Sequence, residues 1–126
     1  MSESEELFEA ARDMRRVIRE YCTARRNPSL PPFRLHGPYA RDQVWKSDAV
    51  SKPGCYVIYG SDKKVRYIGM STTAIGSRIT THLLPATQRS PFWMNGSPPA
   101  FFDLIEVSQP WEAPSLEAYL QMAPSE

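Results

Sequence analysis

The chain has 126 residues, a net charge of +1 and a hydrophobic fraction of 41%. That suits one domain with one core, and near-neutrality excludes a global basic field, so nucleic-acid binding would have to rest on a local patch. Cys22 and Cys55 exclude a disulfide framework or a cysteine metal cluster; neither a signal peptide nor an apolar run able to span a membrane is read, so a cytoplasmic location without membrane contact is expected.

Residues 5–21 read as an amphipathic helix. Leu7, Ala11, Met14, Ile18 and Tyr21 recur at alternating four- and three-residue spacing, which makes one apolar stripe. Ser2 with Glu5 has capping-box spacing. Arg12, Arg15, Arg16 and Arg19 line another face, balanced by Glu5, Glu6, Glu9 and Glu20. Such a face is either solvated or available to a phosphate backbone. Residues 27–38 hold four prolines and are expected to form an extended connector. A short helical turn is expected around 41–46. The chain is divided at residue 50: helix and connector over 1–50, and a second unit over 51–126.

Tyr56-Val57-Ile58-Tyr59 and Val65-Arg66-Tyr67-Ile68 are rich in β-branched and aromatic residues and read as strands. Gly60-Ser61-Asp62-Lys63 is turn chemistry. If those four residues form the loop, Tyr59 pairs with Lys64 and Tyr56 stands opposite Tyr67. Directly opposed residues share a face, so the two phenols are expected side by side. A helix follows over 74–84, capped by Thr72 or Thr73. Ile75, Ile79 and Leu83 form its apolar stripe, and Arg78 and His82 stack one turn apart on a neighbouring face. Gly76 within it suggests close approach to the hairpin.

Residues 85–99 form a Pro/Ser/Gly-rich loop with Arg89, Phe92 and Trp93, long enough to be a candidate functional loop. Residues 101–107 read as a third strand. Its Asp103 and Glu106 point to opposite faces, a poor joint metal site. Residues 115–122 read as a last helix carrying Glu117.

Two tyrosines, an arginine and a histidine on regular elements close in sequence suit phosphodiester cleavage. An arginine fork matches phosphate oxygens. A histidine is the natural base near neutral pH, whereas a tyrosine with its ordinary value near 10 needs nearby positive charge.

The stretch 54–83 resembles the GIY-YIG nuclease family. Tyr67-Ile68-Gly69 matches its second tripeptide in full, and Gly54-Cys55-Tyr56 matches the first with cysteine in place of isoleucine. The resemblance extends to about residue 122. It implies an α+β (α/β) fold: a small three-stranded antiparallel sheet flanked by helices, with the N-terminal amphipathic helix beside it. It implies Tyr56, Tyr67, Arg78, His82 and Glu117 as catalytic residues, with Tyr56 as base and His82 as its competitor. Glu117 would hold one divalent metal, Mg²⁺ or Mn²⁺, and the substrate would be DNA. Arg66, Lys64 and Ser71 are candidates for substrate contact. Family members usually carry an asparagine after the glutamate-bearing helix; the nine positions after Glu117 contain none, and Asn95 does not match by position. That departure motivates a second reading, a nuclease-like module that binds nucleic acid or a protein without cutting.

Overall fold

The computed structural model describes residues 3–83 and 99–122. The Ser2–Glu5 cap and the 85–99 loop, Pro99 aside, lie outside them. Helix α1 (Glu3–Arg25) leads into strand β1 (Arg34–Ala40) and two short 3₁₀ turns, Val44–Lys46 and Asp48–Ser51. Strands β2 (Gly54–Gly60) and β3 (Val65–Ser71) follow, then helix α2 (Ile75–Leu83), strand β4 (Pro99–Glu106) and helix α3 (Glu112–Met122).

The architecture is α+β, with one antiparallel sheet in the order β1-β4-β2-β3. It has four strands, one more than expected. The extra strand is β1, which overlaps the expected connector. Gly37 and Pro38 interrupt its pattern, and its register with β4 slips between His36 and Tyr39. An edge strand tolerates this, because only one side of its ladder must pair. Gly37 sits at φ +112°, and a Cβ there would stand 2.9 Å from the Phe102 carbonyl oxygen. A side chain at this position would therefore be both strained and crowded.

Strand β2 is buried along its whole length, and successive side chains enter opposite faces. Cys55, Val57 and Tyr59 face α1 and α3, packing with Val17, Ile18, Tyr21, Leu116 and Leu120. Tyr56 and Ile58 face the other way, packing with Val44, Ala49, Ile75, Ile79, Phe102 and Leu104. The sheet is thus the middle of three layers. On the expected stripe of α1, Ala11, Ile18 and Tyr21 are buried. Arg15 turns inward and donates to the Gly37 carbonyl at 2.8 Å and to Asp103 at 2.9 Å.

A buried ion pair closes the layer. Arg26 Nε lies 2.6 Å from Glu112 Oε2, with side-chain exposures of 7% and 1%. Ser108 Oγ and the Gln109 N–H also donate to this carboxylate, and the Arg26 guanidinium covers the Phe33 ring at 4.1 Å. Burial alone would raise the Glu112 pKa, but these donors outweigh it and hold the carboxyl below its ordinary value. Pro114 lies in the first turn of α3, where no intrahelical partner awaits its missing N–H. No helix among the described residues is long and apolar enough to cross a membrane.

Candidate active site

The β2–β3 hairpin sets the site. The Lys63 N–H bonds the Gly60 carbonyl at 3.0 Å, and Gly60 and Lys64 close the loop. Lys63 adopts φ +63°. The loop therefore has three residues, not the expected four. Tyr59 pairs with Val65 and Ile58 with Tyr67, leaving Arg66 as a bulge residue. Each change shifts the register by one. Tyr56 consequently opposes Gly69 and not Tyr67. Because the two shifts sum to an even number, Tyr56 and Tyr67 keep a common face. They are diagonal neighbours with ring centroids 6.1 Å apart and planes inclined by 25°.

Gly69 makes room for this pair. A Cβ there would stand 2.4 Å from the Tyr56 hydroxyl and 2.9 Å from Tyr67 Cε2. Sequence reasoning assigned Gly69 no role; a glycine inside a strand, where backbone or ring approaches closely, was the available signal. Gly54 has the same function toward β4, where a Cβ would meet the Ile105 carbonyl oxygen at 1.9 Å.

The Ser71 hydroxyl starts the next element. It accepts the N–H groups of Thr73 at 3.2 Å and Ala74 at 3.0 Å. Ser71 thus shapes the turn that leads into α2, whose first residue is Ile75. It is buried and committed to backbone, so its expected contact with substrate has no support in this geometry. Gly76 approaches Val50 and Trp45, not the hairpin. Arg78, exposed on α2, hydrogen-bonds Tyr56. His82 lies in the last turn of α2, and its side chain is outside the described residues. Lys64 and Arg66 are exposed; Arg66 pairs with Asp62.

Helix α3 brings Glu117 to the hairpin. The Cys55 thiol donates to the Ala113 carbonyl, one turn before Glu117, at 3.3 Å. One turn after Glu117, Gln121 Nε2 donates to the Ile68 carbonyl at 3.0 Å. Position 55 thus seats the turn that carries Glu117. Burial pushes the Cys55 thiol up, and the Glu117 charge adds to this; the thiol is a packing group, not a nucleophile.

The electrostatics of Tyr56 join these residues. Burial raises its pKa most, Tyr67 and then Glu117 raise it further, and Arg78 lowers it through charge and hydrogen bond. The net direction is upward, so Tyr56 is a neutral phenol at pH 7. Tyr67, Arg78 and Glu117 therefore all act on the Tyr56 phenol. The rival acids are engaged elsewhere. Asp103 binds Arg15 and accepts the Tyr59 hydroxyl at 3.1 Å, and Glu106 lies 3.3 Å from His36 Nε2.

Among the described residues no group of three His, Cys, Asp or Glu side chains gathers to hold a metal ion. Glu117 is a single hard oxygen donor. That donor set fits a cation such as Mg²⁺, which keeps most of its waters and takes one carboxylate plus substrate phosphate. It does not fit a closed protein cage.

Comparison with protein-family models, with curated proteins and with solved structures gives no match.

Proposed function

We propose that this chain is a metal-dependent endonuclease of GIY-YIG type that hydrolyses DNA phosphodiester bonds at a single-metal site. The observation that carries the reading is the stacking of Tyr56 on Tyr67, with Arg78 and Glu117 near enough for their charges to act on the Tyr56 phenol, the four residues coming from β2, β3, α2 and α3.

In this reading Arg78 grips the phosphate oxygens through its planar fork. A water oxygen attacks phosphorus, one P–O ester bond breaks, the water gives up a proton and the leaving oxygen gains one. Tyr67 orients the Tyr56 ring by stacking, and Gly69 leaves the Tyr56 hydroxyl its place. Burial favours the neutral phenol, so Tyr56 acts as base only when more positive charge stands beside it. Glu117 would hold a divalent cation, which when bound would supply that charge and Lewis-acid support for the leaving oxygen. His82, one turn from Arg78, is the alternative proton acceptor.

The test is incubation of supercoiled, linear and branched DNA with the protein and Mg²⁺ or Mn²⁺. Cleavage that needs the metal supports the reading. Folded protein that binds these DNAs without cutting any of them supports a binding module instead.

A further inference from the structure

Trp45 lies in the 3₁₀ turn Val44–Lys46 and keeps 45% of its surface exposed. Its neighbour Val44 is fully buried, so the turn is anchored while the indole stays out. The ring edge is seated on α2, where a Cβ on Gly76 would stand 3.2 Å from Trp45 Cζ3. A side chain there would be tight against the indole and would meet the Val50 carbonyl oxygen at 2.9 Å, so glycine suits the close packing of this turn on α2. Among the described residues no ring or cation stacks on it. The charged residues within four positions of it in sequence, Arg41 and Lys46 against Asp42 and Asp48, are all exposed and sum to zero. The patch therefore presents an apolar ring face and not an electrostatic field.

Its place relative to the candidate active site gives the ring a use. Trp45 touches α2 at Gly76, and Arg78 is two residues further along the same helix. At 3.6 residues per turn these positions are about 200° apart around the axis. Arg78 and Trp45 thus flank α2 on opposite sides, separated by roughly the 10–12 Å width of a helix. A strand with its phosphate at Arg78 that crosses the exposed Ser77 reaches Trp45 within a few nucleotides.

We propose that Trp45 is a stacking platform for an unpaired base a few nucleotides from the phosphate bound at Arg78, so that the preferred substrate is DNA with a single-stranded segment beside the cut. This rests on the nuclease reading above. A base inside a duplex has both faces covered by its neighbours, whereas an unpaired base can lay one face on an indole.

The experiment uses full-length Glu117→Ala protein, which leaves DNA intact, and follows tryptophan fluorescence and affinity. The probes are a blunt duplex, a duplex with a short single-stranded tail, and a single strand. Trp45→Ala in this background is expected to weaken binding of the tailed and single-stranded probes about five- to a hundredfold. Blunt-duplex affinity and the salt dependence of binding should stay unchanged, because stacking releases no counterions. Trp45→Phe, which keeps a ring on the Gly76 seat, is expected to restore part of the loss. Unchanged affinity in Trp45→Ala, or equal weakening on all three probes, overturns the proposal, as does a parent protein that binds none of them. Cleavage by the wild-type protein is scored separately. Trp45-dependent binding without cleavage defeats the nuclease reading and leaves the platform standing; cleavage with Trp45-independent binding does the reverse.

Discussion

The Tyr56 ring passes over Gly69, its hydroxyl 2.4 Å from where a Cβ would stand. Tyr56 is fully buried and Tyr67 Cε2 would stand 2.9 Å from the same Cβ, so the Tyr56 ring cannot yield cheaply. Gly69→Ala is expected to cost about 1–3 kcal/mol, as overpacking does, and to separate the two phenols. Thermal melting reads the first effect. Loss of cleavage in protein that remains folded reads the second.

Arg78 is exposed, so its removal should cost only the modest stability of one hydrogen bond to Tyr56 while removing the proposed phosphate clamp. Arg78→Ala is expected to slow cleavage roughly a hundredfold or more, the scale of losing one transition-state donor. Arg78→Lys should recover little, since an ammonium lacks the planar fork. Single-turnover rates on one substrate, with melting curves beside them, distinguish this from unfolding.

The hairpin and α2 were legible in the sequence because their signals are local. Aromatic and β-branched runs flank turn residues, and Ile75 and Ile79 recur at helical spacing. The face shared by Tyr56 and Tyr67 was legible too. Their diagonal offset, where direct pairing was expected, was not, because Arg66 as a bulge and Lys63 at positive φ have no distinctive local pattern. Strand β1 was hidden by Gly37-Pro38, which reads as a breaker until an edge position makes it acceptable. The start of α3 was hidden for a similar reason, since Pro114 looks like a boundary and sits inside the first turn. The inward turn of Arg15 and the Arg26–Glu112 pair depend on residues more than eighty positions apart, beyond any periodicity.

The Arg26–Glu112 pair predicts an acid-sensitive link between α1 and α3. The Glu112 carboxyl is held below its ordinary value, so its contribution is complete above the unfolded value of about 4.3 and fades as pH falls through the lower folded one. Glu112→Gln leaves Arg26 buried without its counter-charge and is expected to cost about 3–5 kcal/mol at pH 7. Melting temperatures across acidic pH should show the gap between the two proteins constant down to about pH 5 and narrowing below about pH 4.

Asp103 runs the other way. Burial raises its pKa, against Arg15 and Tyr59, which lower it. Raised above the unfolded value, the group favours folding at low pH, and that contribution is lost as pH climbs through the folded value. Arg15→Ala removes the cation that offsets this. Its cost should therefore grow with pH, to about 1–3 kcal/mol once Asp103 is ionised. Denaturant titrations of both proteins at acidic and neutral pH measure the difference.

The central claim is that Tyr56, Tyr67, Arg78 and Glu117 form one phosphodiester-cleaving site. The most direct measurement is cleavage of one DNA substrate in Mg²⁺ or Mn²⁺ by the wild-type protein beside Tyr56→Phe, Arg78→Ala and Glu117→Ala, each shown to be folded. The account predicts metal-dependent cutting by the wild type and its loss in all three variants. Cutting that survives Glu117→Ala, or its absence from folded wild-type protein, would contradict it.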